Sequence, residues 1–284
     1  MADLLVLPEW QLLRVPKAGS RIEECEDAGR VWDGDPHFDG EGRTVASLYA
    51  AVSDGASESL LAGAWADRLA NDTVESMTLA GDWWRDLSGF VGDLMSRSAI
   101  RWDAFLTWYQ DDRAARGRPI TWYEQPGLEK GAFATVLGAE IRVTVADGGD
   151  VRRDWYAFAL GDSCLFHIRD GHVHGAFPLA AVEDFGITPQ LLGSRNHDVA
   201  LVTDRVTVAQ GELLPGDEVL LASDALAAWL LTPDNESTAP GKRLARLVDL
   251  GEESFEEWVN DQRARSRMRN DDVTLIRMRV RAEA

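Results

Sequence analysis

At 284 residues, with 45% hydrophobic side chains and eleven tryptophans, the chain has the composition of a globular protein and the length for one large domain or two small ones. Its 48 Asp and Glu against 29 Lys and Arg give a net charge of −19, a surface that repels phosphate backbones and argues against nucleic-acid binding. The two cysteines, Cys25 and Cys164, form no CxxC pair; no run reaches the length of a membrane span; and the N-terminal segment lacks a basic start before an apolar core. A cytoplasmic protein with reduced thiols and no membrane contact is expected.

The first strand-like runs are LLVLPEWQLLRV (residues 4–15), GRVWDG (29–34) and RTVASLYAAVS (43–53), rich in β-branched and aromatic residues. The third stops at Asp54-Gly55 and leads into a long stretch, about 57–118, with apolar residues at three- and four-residue spacing, which predicts helix. Strand runs resume with GAFATVLGAEIRVTVA, RDWYAFALGD, SCLFHIRDG and HVHGAFPL, and Asp170-Gly171 between the last two is a hairpin signal. DVALVTDRVTVA and DEVLLASD follow as strands, then a helical region from Asp224 to about 267 interrupted by TPDNESTAPG, then the strand DVTLIRMRVRA. No repeat or linker divides the chain, so a single domain over 1–284 is expected. Helical blocks separated by antiparallel-looking strands suggest an α+β fold with helices covering sheets.

Carboxylates recur at the strand ends: Glu26 and Asp27 before GRVWDG, Asp54, Asp162 closing YAFALGD, Asp224 closing VLLASD, and Asp271 and Asp272 opening the last strand. Singly, each is read as well as a turn or helix-cap residue. Converging in space they could not all stay ionised without a cation, and oxygen-rich clusters suit Mg²⁺ or Mn²⁺. Gly55 would let a backbone carbonyl approach the same ion.

Taken in order, ECEDA, AVSDGASES, GAFATVLGAEI, FALGDSCLFHIRDG, LLPGDEVLLASDALAAWL and RNDDVTLIRMRV resemble the metal-dependent protein Ser/Thr phosphatase family, type 2C (PPM-type), along most of the chain. The resemblance implies a four-layer α-β-β-α sandwich of two antiparallel sheets with a dinuclear metal site at one end. It implies one ion held by Asp54, Asp224 and Asp271. A second would take Asp54 as a bridge, the Gly55 carbonyl and, directly or through water, Glu26 and Asp27; Asp162 would help a weaker third ion. Two ions about 3.5–4 Å apart would activate a bridging water for in-line attack on phosphoserine or phosphothreonine. A phosphorylated protein is the implied substrate, and ECEDA and SDALAAWL resemble a bacterial subgroup found with von Willebrand A-type proteins and kinases, which suggests a cognate Ser/Thr kinase as partner.

The chain departs from the family pattern at Ala225 and Ala56, where members carry glycine and, in some eukaryotes, a general-acid histidine. Arg21, the phosphate-binding candidate, lies five residues before Glu26 instead of four. These departures keep open a second reading, a catalytically inactive pseudophosphatase acting as a protein-binding module. Other signals have plainer readings. His172 and His174 fit a hairpin flank better than a zinc site, and DGDPHFDGEG reads as a turn. Cys25 and Cys164 read as packing residues, most of the helical tryptophans as core, and Ser57 and Ser59 as caps of the following helix or as phosphate contacts.

Overall fold

Along one long strand Leu48, Ala50 and Val52 enter one apolar cluster while Tyr49 and Ala51 enter another. That period-two alternation, with both faces buried, is what a strand lying between two packed layers requires. The computed structural model describes residues 5–186, 188–232 and 240–282. Its strands are β1 (Glu9–Val15), β2 (Asp27–Asp33), β3 (His37–Phe38), β4 (Thr44–Asp54), β5 (Phe133–Ala134), β6 (Val136–Val145), β7 (Val151–Leu160), β8 (Cys164–Arg169), β9 (His172–Phe177), β10 (Leu192–Gly193), β11 (Thr207–Glu212), β12 (Glu218–Ala222) and β13 (Val273–Arg279). The helices are α1 (Ala62–Ala80), α2 (Leu87–Ala115), α3 (Gln125–Lys130), α4 (Val199–Thr203), α5 (Asp224–Leu231), α6 (Pro240–Leu250) and α7 (Glu252–Ala264).

One sheet runs β1-β13-β12-β8-β9 and the other β11-β7-β6-β4-β2, with β3 beside β4 and a small β10-β5 pair apart from both. Every pairing is antiparallel. The protein is thus a mixed α+β fold with antiparallel sheets, as its pattern of elements predicts. One core joins the two sheets, with Leu48, Ile141 and Trp155 meeting Leu221, Ile276 and Met278. A second lies between α1, α2 and the longer sheet, where Trp65, Leu69, Phe90 and Trp102 pack with Tyr49 and Phe158. A third sets Leu226, Val248 and Phe255 of α5, α6 and α7 against Phe166 and Leu220.

The hairpin at Asp170-Gly171 forms as predicted, with φ of 53° and 78° at its two central residues. The helical stretch at 57–118 is two helices, beginning at Ala62 and parted near Gly81, whose φ is +64°. DVALVT is helix rather than strand: Asp198 Oδ1 accepts from Leu201 N at 3.0 Å, a side-chain cap that outweighs β-branched character over so short a run. α3 has no counterpart in the sequence-based expectation, and the interruption at 232–241 lies, apart from its ends, outside the described residues.

Trp65 ties the helical layer together. It is 2% exposed, meets Trp102 edge to face at 5.3 Å between ring centres, and donates through Nε1 to the Leu192 carbonyl at 2.9 Å. Trp65→Ala should destabilise the protein by about 3–5 kcal/mol, read as a lowered urea midpoint at unchanged slope; a loss under about 1 kcal/mol would show the site refilling.

Candidate functional site

The register of β2 on β4 places Asp27 directly opposite Asp54. Directly opposed residues in an antiparallel pair have Cβ atoms about 4.5–5.5 Å apart, so the strands themselves bring two carboxylates together. The strand ends are locked by Thr135. Its N–H donates to the Asp54 carbonyl at 2.8 Å, its Oγ1 accepts from Asp54 N at 3.0 Å, and Ser53 Oγ donates to its carbonyl at 2.6 Å. Gly55 follows because the chain has no room for a side chain: a Cβ there would sit 2.8 Å from the Glu26 carbonyl oxygen and 2.9 Å from the backbone of Ala62.

Three further elements deliver carboxylates to this end of the sheets. Asp162 sits in the turn between β7 and β8, next to Gly161, whose φ of +120° and 2.6 Å virtual contact with Thr135 admit only glycine. Asp224 opens α5 directly after β12, and Asp271 precedes β13. That the groups converge shows in their electrostatics. Burial pushes the Asp54 carboxyl well above its ordinary value, and Asp27, Asp224, Asp162 and Asp271 each push it further. Burial raises Asp27 to about 7, with Ser223 pulling down and Asp272 and Asp224 pushing up. Burial, then Asp224, raises Asp162 to about 6; Asp224 is raised by burial and Asp271 although Arg269 opposes them.

These acids have taken what partners the chain offers. Asp224 Oδ2 accepts from Arg269 Nη2 at 2.7 Å, and Glu26 Oε2 accepts from Lys17 Nζ at 3.0 Å and from the Ser57 hydroxyl. Among the described residues no three acidic, imidazole or thiol side chains are gathered tightly enough to hold a metal ion as they stand. Like charges without a cation between them spread apart and turn to Lys, Arg and hydroxyls. Yet Asp27 Oδ2 and Asp224 Oδ1 remain buried without any hydrogen-bond partner. Two orphaned carboxylate oxygens in a repelling, all-oxygen cluster are donors that fit a hard divalent cation.

No family model matches the chain, and no curated protein matches its sequence. Solved structures do align with it. The photosystem II phosphatase PBCP is 15% identical over 97% of this chain and 100% of its own, at a TM-score of 0.49. A bacterial serine phosphatase is 16% identical over 98% and 99%, at 0.49. Serine/threonine phosphatase Stp1 from Staphylococcus aureus is 15% identical over 98% and 96%, at 0.48. All three are phosphatases.

Of the residues singled out from sequence, Glu26, Asp27, Asp54, Gly55, Asp162, Asp224 and Asp271 lie at this one end of the fold. Arg21 is exposed, and among the described residues its guanidinium makes no hydrogen bond or ion pair. Lys17 touches the acidic group, with Nζ 3.5 Å from Ser57 Oγ and 3.0 Å from Glu26. No spacing marks it, because it arrives on the loop after β1. Asp272 positions that loop: its Oδ1 and Oδ2 accept from the backbone N–H groups of Lys17 and Glu26 at 2.7 and 2.8 Å. Ser57 and Ser59 do not cap α1, whose N-cap is Leu61 with φ +65°; Ser57 holds Glu26 and Ser59 bonds Ala56 and Phe133. Ala225 lies within α5, where no glycine-only conformation is required. Cys25 and Cys164 are buried, and burial lifts both thiols to about 12, so they pack rather than react. His172 and His174 are exposed on β9.

A carboxyl whose pKa is higher folded than unfolded binds more protons in the folded state, so it withdraws stability as pH rises from about 4 through about 7. In EDTA at pH 8, Asp27→Asn should therefore be more stable than the wild type by on the order of 2 kcal/mol, and the gain should vanish near pH 4. Urea unfolding at both pH values checks this; a mutant no more stable than wild type at pH 8 would show that the cluster carries no repulsion.

Proposed function

We propose that the protein is a metal-dependent phosphatase that hydrolyses phosphoserine or phosphothreonine in a phosphorylated protein, opposed by a cognate Ser/Thr kinase. The observation that carries this reading is the direct opposition of Asp27 and Asp54, joined by Asp162, Asp224 and Asp271, with buried oxygens left unpartnered. Three apolar cores, one between the sheets and one under each helical group, support a four-layer α-β-β-α arrangement in a single domain.

In this reading Asp54, Asp224 and Asp271 would hold one Mg²⁺ or Mn²⁺, and Asp54, the Gly55 carbonyl and, directly or through water, Glu26 and Asp27 would hold a second. Asp162 contributes to a weaker third. Bound ions of this kind supply the positive charge that draws in phosphoryl oxygens and lowers the pKa of water. The chain's own residues do the rest. Lys17, kept charged by its hydrogen bond to Glu26, is the cation placed to donate to a phosphate oxygen, a role the sequence assigns to Arg21. Asp272 fixes the loop carrying Lys17 and Glu26, and Thr135 fixes Asp54.

The ion pair of Asp224 with Arg269, and the looseness of the acidic group, favour one alternative: a binding module on this fold that turns nothing over. The two readings separate on hydrolysis of p-nitrophenyl phosphate and of a phosphothreonine peptide, with Mn²⁺ and with EDTA. Turnover should require Mn²⁺. Residues that merely support metal ligands cost about 10–100-fold when removed, so Asp54→Asn should lower kcat at least about 100-fold. Folded wild-type protein that binds Mn²⁺ by calorimetry but hydrolyses neither substrate would establish the binding module.

A further inference from the structure

The antiparallel ladder between β1 and β13 ends at the pair Val15 and Val273, and past it both chains leave the sheet. One of them carries Lys17 and the other Asp271, so both residues sit where strand pairing no longer fixes the backbone. Pro16 has no N–H with which to extend the ladder. A side chain from a third element fills that place. Arg263, in the last turn of α7, donates through Nη1 to the Pro16 carbonyl at 2.9 Å. Through Nη2 it donates to the carbonyls of Asp271 at 2.5 Å and Val15 at 3.4 Å. Its Nη1 also donates to Asn260 Oδ1 at 3.0 Å, on its own helix. One guanidinium thus spans the two segments and anchors both to α7.

We infer that Arg263 is a positioning residue of the candidate site, setting Lys17 and Asp271 relative to each other without touching the reacting atoms. The inference rests on the phosphatase reading for what those two residues do. Consider first the Pro16–Lys17 peptide unit. Its carbonyl is held by Arg263 and its N–H by Asp272 Oδ1 at 2.7 Å, so it is gripped through both polar groups and cannot rotate. The Asp271–Asp272 unit is held in the same way. Its carbonyl accepts from Arg263, and its N–H donates to Asp271 Oδ1 at 3.0 Å. The Asp271 carboxylate is therefore tethered to a peptide that Arg263 anchors. Burial pulls the Arg263 pKa down, and the charges of Asp272, Asp271 and Glu256 oppose that pull. Even so, its hydrogen bonds go to backbone carbonyls and the Asn260 amide, not to those carboxylates. A cation recruited for its charge alone would turn to the acids; this one fixes backbone. Its planar fork sets the angle between the two segments as well as their distance, which an ammonium on a flexible stem does not.

The test compares the full-length wild type with Arg263→Met, and with Arg277→Met as a control for loss of a buried arginine. Arg277 lies further along β13, where its side chain is 4% exposed and pairs with Glu218 and Asp249. Calorimetry gives the Mn²⁺ affinity, urea unfolding the stability, and p-nitrophenyl phosphate at saturating Mn²⁺ the kcat. Arg263→Met should bind Mn²⁺ about 10–100-fold more weakly and lower kcat by a similar factor. Millimolar guanidinium chloride, but not sodium chloride, should restore part of both by reoccupying the space between the segments. Arg277→Met should lower the urea midpoint and leave Mn²⁺ affinity and kcat unchanged. Folded Arg263→Met that matches the wild type in both values overturns the inference, as do losses no greater than those of Arg277→Met. Should Arg263→Met not fold, Arg263→Lys carries the comparison, and a lysine variant equal to the wild type in both values overturns it as well. Wild type that binds Mn²⁺ without turnover removes the phosphatase reading, and Mn²⁺ affinity then decides on Arg263 alone; wild type that binds no Mn²⁺ overturns both.

Discussion

Asp27 and Asp54 face each other because the strands that carry them cannot do otherwise. β4 is buried on both faces from Val45 to Ser53, with Leu48, Ala50 and Val52 turned to the other sheet and Tyr49 and Ala51 to the helices. A slip of one residue would exchange those two sets and drive Tyr49 into space shaped for alanine. Two unit charges about 5 Å apart repel by about 3 kcal/mol at an effective dielectric of 20. A single fully buried large apolar side chain contributes about 1.5–3 kcal/mol, and β4 carries several. Packing wins easily, and the repulsion is held in place by the cores.

The same comparison separates what sequence could reveal from what it could not. Strands show through because apolar side chains repeat every second residue over runs such as Thr44–Asp54 and Val136–Val145. The acids stand out because a carboxylate at the end of an apolar strand contrasts with what precedes it. Convergence is another matter, and only register brings Asp27 to Asp54. DVALVT failed as a strand because one capping carboxylate, Asp198, decides so short a segment. Lys17 and Asp272 were invisible as a pair because 255 residues separate atoms 2.7 Å apart. The reason for Gly55 was hidden too, because its neighbours in space, Glu26 and Ala62, arrive from a separate loop and from a helix start.

Around the acids, the supporting groups form a shell with one consistent logic. Asp272 accepts from a backbone amide with each of its oxygens and so shapes the loop. Thr135 serves β4 from both sides of its peptide and also meets Ser163 Oγ at 3.0 Å, joining the Asp54 corner to the turn that carries Asp162. Groups whose hydrogen bonds are complete hold position, while Asp27 and Asp224, each left with one bare oxygen, keep the capacity to bind.

Arg269 stands at the meeting point of these effects. Its side chain is 55% exposed while that of Asp224 is 11% exposed, so their ion pair is wet on one side and worth little, within about 1 kcal/mol. A divalent cation brings twice the charge and can satisfy the bare Asp224 oxygen that Arg269 leaves unpartnered. The guanidinium is therefore the weaker claimant to that carboxylate. Were a cation to take Asp224, Arg269 would be left with its charge on the exposed side of the site. The acidic group is in this way linked through a single side chain to the loop before Asp271.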